Sequence, residues 1–332
     1  MEKNVITIYE VAEKAGVSTA TVSKIVNHKG RISETTRQHV LQIMKDLNYR
    51  PSSLAACLTT KKTATIGLLI PDIANPYFGE VARLFDTACR QKGYMLIICN
   101  TNDVENKARE DIELLVQKRV DGIIIACNIN KQETIESLIQ FKIPIIQFSA
   151  EMLDAKINTI NVDEYLGTYT AVEYLINLGC RNICFIGGRG IGRKSNKTRA
   201  YYDAIKKYGL DPMEKNTNER NSDIFGSLNE VEKILRSAGE VDGIFACSDL
   251  IGVGALQAAK ALGFQVPHQL KVIGFDNTIL SELSSPRLSV VSQPIHEMVV
   301  KAVDLLLENM KSSEGEIKKI KFPPKLILRE ST

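Results

Sequence analysis

The sequence lacks any segment that would cross a membrane or direct the chain out of the cell. No apolar run in its 332 residues approaches the ~20 residues that a bilayer-spanning helix requires. Residues 1–7 are polar and lead directly into an amphipathic segment, which is unlike a secretory signal. We therefore expect a cytoplasmic protein with no membrane partner.

Cysteine pairs and catalytic motifs are also missing. The seven cysteines are odd in number and mostly widely spaced, which argues against a disulfide framework and predicts buried, reduced thiols. Cys180 and Cys184, the nearest pair, have no histidine or second cysteine pair beside them, so no metal site is expected. The four histidines are isolated, and GGRGIG at 187–192 matches no nucleotide-binding pattern. We predict no metal, cofactor, catalytic residue or enzymatic activity.

Net charge is low, at +3, but it is unevenly distributed. Residues 1–62 carry ten Lys or Arg and five Asp or Glu, a net of +5, which leaves −2 for the remainder. A basic head on a mildly acidic body indicates a polyanion as the partner of the head.

Residues 4–49 show helical periodicity and little strand signal. Thr7 precedes apolar residues at helical spacing, and Gly16 is expected to end this first helix. Ser18 is placed to cap a second helix over residues 19–26, and a third helix should start at Ser33. Three short helices joined by tight turns are typical of a helix-turn-helix unit.

The second of these helices has the composition of a DNA-recognition helix. Such a helix needs small or polar residues at its N-terminal end, where it meets phosphates and base edges. Thr19, Ala20, Thr21, Ser23 and Lys24 supply them. Hydroxyls and helix N-terminal amides suit phosphate oxygens, and a lysine can reach guanine in the major groove.

From residue 64 onward, short β-branched runs alternate with amphipathic helical stretches. The expected strands are 64–70, 94–99, 122–126, 143–148, 157–162, 183–187, 243–246, 272–275, 288–292 and 326–328. This alternation predicts parallel sheets with crossover helices. Ten strands are many for one sheet, and VDGIIIAC at 120–127 is echoed by VDGIFAC at 241–247. Two similar α/β lobes with a cleft between them explain both observations, the alternative being a chance similarity of strand entries.

The segment TIYEVAEKAGVSTATVSKIVN at 7–27 resembles the amino-terminal domain of the LacI/GalR family of bacterial transcription regulators. The resemblance continues through VLQIMKDLNYRP at 40–51, IGLLIPDIANPYF at 66–78, residues 119–125, VIGFDN at 272–277 and residues 293–294, and it covers essentially the whole chain. It implies an α/β protein with an all-helical helix-turn-helix head and a hinge helix. A two-lobed, periplasmic-binding-protein-like body with two parallel sheets should follow.

The resemblance also implies the domain boundaries. Residues 1–49 would form the DNA-binding domain, 50–62 the hinge helix or linker, and 63–332 the effector-binding and dimerisation domain. Within the body, the amino-terminal lobe would comprise about 63–162 plus 291–320. The carboxy-terminal lobe would comprise about 163–290 plus 321–332.

In the head, the resemblance implies a set of residues that contact operator DNA. Bases would be read at Thr19, Ala20 and Lys24, where many relatives have Pro or Met at the first position and Arg at the third. A lysine lacks the bidentate fork of arginine, which changes the expected base preference. The remaining implied contacts, mostly to phosphates, are Tyr9, Ser18, Thr21, Ser23, Asn27, Arg31, Ser33, Thr36 and Tyr49.

Residues 50–62 read from composition alone as a linker or a short capped helix. The resemblance implies a hinge helix whose Leu58 enters the minor groove at the operator centre, where an apolar wedge kinks the duplex. Relatives usually carry Asn at position 52 and Arg at 56, whereas this chain has Ser52 and Ala56. One minor-groove cation is thereby lost, and Lys61 or Lys62 is the expected substitute.

In the body, the resemblance implies an effector held between the lobes. The implied binding residues are Asn75, Tyr77, Phe78, Ser149, Arg199, Ser248, Asp249 and Asp276. Sugar-binding relatives often place Asp-Arg where this chain has Ser149 and Ala150, so the common hydroxyl clamp is incomplete. For the polar residues, the alternative is a structural hydrogen bond at a strand end. For Tyr77 and Phe78 the alternative is core packing.

These observations predict a sequence-specific DNA-binding regulator, and a repressor in particular. It would act as a homodimer on near-palindromic double-stranded operator DNA in the nucleoid. A carbohydrate-like small molecule between the lobes would set its DNA affinity. One alternative is a regulator controlled by a partner protein, and another is a solute-binding protein without a DNA function.

Overall fold

The computed structural model describes residues 6–26, 30–49, 62–129, 131–149, 157–188, 195–216, 231–236, 241–311 and 316–332. The chain divides into two compact units, Met1–Thr63 and Ala64–Thr332, which we call the head and the body. None of the helices in the described ranges is long and apolar enough to span a bilayer.

The described part of the head is formed by three helices around a small apolar core. They are α1 (Ile8–Ala15), α2 (Thr19–Val26) and α3 (Glu34–Asp46). The Glu10 carboxylate accepts hydrogen bonds from the backbone N–H and the hydroxyl of Thr7, at 2.6 and 2.9 Å, and these bonds fix the start of α1. Gly16 ends α1 with a φ of 62°, which a glycine adopts at no steric cost. Both predicted boundaries of the first helix are confirmed.

The core of the head is built from the apolar stripes of the three helices. Val11 of α1, Val22 and Ile25 of α2, and Val40 of α3 are each at most 1% exposed. Val22 and Ile25 of α2 pack into this core. The opposite face of α2 therefore remains available to solvent or a ligand.

The described ranges of the body contain twelve strands, the eight helices named below, and a helical segment at 231–236. The strands are β1 (Thr65–Ile70), β2 (Met95–Asn100), β3 (Gly122–Ile125), β4 (Ile145–Phe148), β5 (Asn158–Val162), β6 (Ile183–Gly187), β7 (Met213–Asn216), β8 (Gly243–Ala246), β9 (Lys271–Asp276), β10 (Ser289–Ser292), β11 (Lys319–Phe322) and β12 (Lys325–Ile327). The helices are α4 (Pro76–Gln91), α5 (Glu105–Gln117), α6 (Gln132–Gln140), α7 (Glu164–Asn177), α8 (Asn196–Lys207), α9 (Asp249–Ala261), α10 (Ile279–Leu283) and α11 (Ile295–Asn309).

The strands form two six-stranded sheets. The first has the order β11-β5-β4-β3-β1-β2 and is parallel throughout. The second has the order β12-β10-β9-β8-β6-β7. Two α/β lobes were predicted, and the two sheets confirm them.

The second sheet is mostly parallel, as expected, with one exception: β12 pairs antiparallel with β10. The reason lies in the short connection from β11 to β12, residues 323–324. Strand β11 runs parallel to its neighbour in the first sheet, and the chain enters the second sheet two residues later. Without a helix to reverse its course, β12 must run against the other strands.

Two strands were not expected from the sequence, β7 and β11. Their sequences, MEKN and KIKF, carry polar or charged residues at half or more of their positions. Both lie at the edge of a sheet, where charged side chains are tolerated and lysine hinders further strand pairing. The apolar runs that revealed the central strands are therefore missing at these edges.

The chain crosses between the two sheets three times. The crossings follow β5 at Val162, β10 at Ser292 and β11 at Phe322. The lobe borders expected from the sequence, after residues 162, 290 and 320, stay a prediction. Gly167 of α7 packs tightly here, because a Cβ added to it would lie 2.7 Å from Val291 Cγ1 and 3.0 Å from Pro324 Cγ.

An apolar core runs through both lobes. It contains Phe85 and Phe148 of the first lobe, whose rings meet edge to face at 4.9 Å. In the second lobe, Phe185 and Phe245 stack with centroids 5.9 Å apart. The described cysteines are free thiols, and all of them except the half-buried Cys99 are buried.

Candidate DNA-binding face and ligand cleft

One face of α2 carries the residues expected to read DNA. Ala20 and Lys24 are exposed, and Thr19 and Ser23 are half-buried beside them. Positions four apart share a face of a helix, so these residues form one continuous strip opposite Val22. We call this strip the recognition face.

Two serine hydroxyls fix the starts of α2 and α3. The backbone N–H of Thr21 donates to Ser18 Oγ at 3.2 Å, and the two hydroxyls lie 3.0 Å apart. The same pattern recurs at the start of α3, where Thr36 donates to Ser33 Oγ at 3.2 Å and the hydroxyls lie 2.7 Å apart. All four residues were expected to contact DNA, and Thr21, Ser33 and Thr36 to contact phosphates in particular. The structure gives each of the four a part in a helix cap, which is compatible with such a contact.

The other expected DNA contacts are spread around the head. Tyr9 of α1 is 72% exposed, and Arg31 is exposed ahead of α3. Tyr49 is half-buried, and burial raises the pKa of its hydroxyl. Asn27 and Leu58 lie outside the described residues.

The stem of Lys24 lies close to a glycine. Gly30 adopts a φ of 77°, and a Cβ built on it would lie 3.4 Å from Lys24 Cδ. The aliphatic stem of Lys24 thus lies next to Gly30.

The ligand-binding residues expected in the body follow the carboxyl ends of parallel strands. Asn75 lies between β1 and α4, Ser149 follows β4, Ser248 follows β8, and Asp276 is the last residue of β9. In open parallel sheets, ligands bind at this edge. We call the region between the two sheets the cleft.

On the first lobe, Tyr77 is anchored by polar contacts rather than by packing alone. Asn75 caps α4 by accepting from Tyr77 N–H at 3.0 Å. The Tyr77 hydroxyl lies 2.7 Å from Ser149 Oγ and donates to Gln293 Oε1 at 3.3 Å. Phe78, which is half-buried, meets the Tyr77 ring edge to face at 5.0 Å. Burial, followed by the nearby Asp276, raises the pKa of the Tyr77 phenol.

Gln293 connects the two lobes. It lies in the crossing after β10, and its Nε2 donates to Asp276 Oδ1 at 2.7 Å. Asp276 adopts a φ of 125°, which residues other than glycine rarely adopt and which recurs at functional sites. A continuous path of hydrogen bonds therefore runs from Ser149 through Tyr77 and Gln293 to Asp276.

A buried lysine lies next to this path. Lys197 of α8 is 8% exposed, and its Nζ donates to the carbonyl of Cys247 at 3.0 Å. The same Nζ lies 3.3 Å from Glu164 Oε1 and 3.7 Å from the centroid of the Phe275 ring. Burial alone would lower the pKa of Lys197, but Glu164 and Asp276 hold that pKa above its usual value. The three protons of the ammonium thus have two oxygens and a ring face around them.

Asp249 orders the loop that follows Asp276. It is 1% exposed, and its Oδ2 accepts from the N–H and the hydroxyl of Thr278 at 2.5 and 2.9 Å. Burial raises the pKa of Asp249 to about 7, although the bonds from Thr278 oppose this. The pKa of Asp276 is raised for the same reason, with Lys197 opposing. Asp249 is therefore a support of the cleft wall, and Ser248 caps α9 by accepting from Ile251 N–H at 3.4 Å.

Arg199, a cation expected to bind the effector, is exposed on the first turn of α8. Its guanidinium lies 5.7 Å from the centroid of the Tyr165 ring, and its Nη1 lies 3.5 Å from Asn196 Oδ1. Of the eight residues predicted for effector binding, the structure joins Tyr77, Ser149 and Asp276 in one network. Asn75 and Phe78 contact Tyr77 of this network, and Asp249 binds the loop that follows Asp276. Ser248 caps α9 and Arg199 contacts Tyr165 and Asn196, so neither joins the network directly.

Three central residues were missed in the sequence: Lys197, Glu164 and Gln293. Gln293 lies in a segment that carries the family resemblance. A polar residue between two apolar elements was the feature that could have identified it as a site residue. Glu164 and Lys197 each occupy the first turn of a helix that follows a strand, but nothing in their spacing indicates that they meet. Within the described ranges, no cluster of three metal-binding side chains occurs.

A helix-turn-helix head followed by a two-lobed body with a polar cleft defines a class of protein, the ligand-responsive DNA-binding regulators. A model of the lacI family of bacterial regulatory proteins matches residues 7–52, and a model of the periplasmic binding protein-like domain matches residues 172–332. The HTH-type transcriptional regulator DegA of Bacillus subtilis (strain 168) is 36% identical over 331 residues, which covers 98% of this chain and 98% of that protein.

Solved structures share the fold. The Lac repressor dimer bound to operator and the anti-inducer ONPF has a TM-score of 0.88 at 23% identity, over 98% of this chain and 99% of that one. A LacI family transcriptional regulator from Enterococcus faecium with bound ribose has a TM-score of 0.71 at 25% identity, over 81% and 98% of the two chains. The chain belongs to the LacI family of bacterial transcriptional regulators, which are not enzymes.

Proposed function

We propose that this regulator is a repressor that binds a near-palindromic operator as a homodimer in the bacterial cytoplasm. A small carbohydrate-like molecule in the cleft sets its affinity for DNA. The hydrogen-bonded path from Ser149 through Tyr77 and Gln293 to Asp276 carries the second half of this proposal. A ligand that bonds to any of these groups changes how the two lobes are joined.

The recognition face supports the DNA-binding half. It presents the methyl group of Ala20, the hydroxyls of Thr19 and Ser23, and one cation, Lys24. A lysine hydrogen-bonds guanine O6 or N7, and small residues permit close approach to thymine methyl groups. The net charge of +5 over residues 1–62 supplies the attraction to phosphate that is independent of base sequence.

The chemistry of the cleft supports a polyhydroxylated ligand. Hydroxyl, amide and carboxylate groups converge beside the aromatic rings of Tyr77 and Phe78. Such groups exchange hydrogen bonds with ligand hydroxyls, and aromatic rings cover the apolar face of a sugar. The relative from Enterococcus faecium is described with bound ribose, which is a ligand of this kind.

The first experiment selects operator sequences from a random DNA pool with the full-length protein. Lys24→Ala is then compared with Lys45→Ala, which removes the same charge from the exposed end of α3. If Lys24 reads a base, its replacement lowers affinity for the selected operator by roughly 1–3 kcal/mol and leaves binding to random DNA nearly unchanged. An equal loss on both DNAs would mean that Lys24 contacts only phosphate.

The second experiment tests the ligand. Binding of D-ribose, other pentoses, hexoses, cellobiose and sugar acids is measured by calorimetry, and the operator affinity is measured with each compound. Arg199→Leu should abolish the response to the active compound and leave operator affinity in its absence intact. A panel in which no compound binds or alters operator affinity would refute the proposed effector class.

A further inference from the structure

Arg199 and Asp203 lie one turn apart on the exposed side of α8. An arginine and an aspartate at this spacing on a helix surface attract one another. Among the residues that the structure describes, however, no carboxylate lies within ion-pairing distance of Arg199, whose nearest polar contact is Asn196 Oδ1 at 3.5 Å. The two charges are therefore not paired, although their spacing would allow it.

Tyr165 of α7 is the side chain that separates them. Its hydroxyl donates to Asp203 Oδ2 at 2.8 Å. The face of its ring lies under the guanidinium of Arg199, at 5.7 Å from ring centroid to Cζ. The ring is itself fixed by Tyr169, which stacks on it with an interplanar angle of 16° and a centroid distance of 6.1 Å. The carboxylate of Asp203 raises the pKa of Tyr165, as expected for a phenol that donates to an anion.

We infer that Tyr165 is a positioning residue that keeps Arg199 unpaired and aimed at the effector. The inference rests on the proposed function, in which Arg199 binds the effector. The Tyr165 hydroxyl donates a hydrogen bond to the Asp203 carboxylate, which would otherwise be free to pair with Arg199. The ring lies against the guanidinium, and the guanidinium N–H groups that Asn196 does not engage are available to a ligand hydroxyl or carboxylate.

The test separates the two roles of Tyr165 with three variants of the full-length protein. Tyr165→Phe keeps the ring and frees Asp203, Tyr165→Leu removes both contacts, and Tyr165→Leu combined with Asp203→Asn also removes the competing carboxylate. Tyr208→Leu is the control, because Tyr208 lies at the far end of α8 and its hydroxyl donates to Glu173.

The first measurement requires no effector. Arginine is labelled with 15N, and the Nε–Hε resonance of Arg199 is compared with that of Arg287. Arg287 is the internal standard for a paired arginine, because its Nε lies 2.9 Å from Glu330 Oε1. We expect the Arg199 resonance to move toward the paired position in Tyr165→Phe and Tyr165→Leu and to return when Asp203→Asn is added. The control should leave the resonance where it is.

The second measurement uses D-ribose and the other sugars of the panel as probes. For a sugar that binds the wild-type protein, Tyr165→Leu should weaken binding by roughly 3- to 10-fold, and adding Asp203→Asn should restore part of that loss. A purely structural role would not give this rescue. If the Arg199 resonance and sugar affinity are unchanged in Tyr165→Leu, or Asp203→Asn rescues neither, the inference is overturned.

The two proposals fail in different ways. If no sugar binds the wild-type protein, the proposed effector class fails, and the resonance of Arg199 still decides the role of Tyr165. If sugars bind but Arg199 stays unpaired in every variant, the inference about Tyr165 fails alone.

Discussion

Lys197→Met is the substitution that most directly tests the electrostatic balance of the cleft. Methionine keeps an unbranched side chain of similar length, so it preserves contact with the Phe275 ring. It removes the ammonium that lies 3.3 Å from Glu164 Oε1 and donates to the Cys247 carbonyl at 3.0 Å. Glu164 and Asp276 then face each other without a cation between them.

The size of the effect follows from these contacts. Removing one partner of a buried ion pair costs about 3–5 kcal/mol, but the Glu164 side chain is 30% exposed and regains part of its hydration. The buried carbonyl of Cys247 loses its donor, which costs about 1–3 kcal/mol. We expect the free energy of unfolding of the body to fall by about 3 kcal/mol. In a double-mutant cycle with Glu164→Gln, the double variant should lose about 1–2 kcal/mol less stability than the sum of the losses in the two single variants.

The assay is urea denaturation followed by circular dichroism, because the chain has no tryptophan for fluorescence. The protein concentration is held constant, since association with a second copy would shift the midpoint. Lys207→Met is the matched control: Lys207 lies 2.9 Å from Glu173 Oε1, but its side chain is 54% exposed, so its replacement should change the free energy of unfolding far less than Lys197→Met does. Equal stabilities of the Lys197 and Lys207 variants would refute the reasoning.

Three further substitutions test other contacts of the body. Tyr77→Phe removes the hydroxyl that joins the lobes and should lower the free energy of unfolding by about 1–2 kcal/mol; an unchanged urea midpoint would contradict the network. Asp249, with a pKa raised to about 7 from 3.8, holds a proton in the folded body that the unfolded chain has released, so stability should fall as pH rises from about 4 to about 7. Asp249→Asn should make stability less dependent on pH between about 4 and about 7. If the melting temperature of this variant changes with pH as much as that of the wild type, Asp249 is not the group responsible. Gly167→Ala should lower the free energy of unfolding by about 1–2 kcal/mol, because the clash of the new methyl group outweighs the gain in helix propensity. A variant as stable as wild type would show that Val291 and Pro324 move to make room.

Local chemistry made the head and the central strands predictable. Thr7 and Gly16 mark the ends of α1 because a cap and a left-handed residue act within a few positions of the chain. The central strands, such as β1, are apolar on both faces because helices cover both sides of the sheet. Edge strands have no such burial, and β11 was therefore missed.

The cleft was predicted only in part, for a related reason. Ser149, Tyr77 and Asp276 were found because they follow apolar strands or belong to family segments. The pairing of Lys197 with Glu164 depends on how α7 and α8 pack, and residues 33 positions apart in sequence give no local sign of it. The antiparallel direction of β12 similarly follows from a connection of two residues rather than from composition.

The last two strands of the chain, β11 and β12, complete the two sheets, and this order has a consequence for biosynthesis. Strand β11 is the outer neighbour of β5, although about 160 residues separate them, and β12 likewise completes the second sheet. The three helices of the head share a small core of their own and can fold from local contacts. During translation, a head can therefore form long before ribosomes release residues 319–327. A message cut short ahead of these residues would yield a polypeptide with a finished head and two sheets that each lack an edge strand.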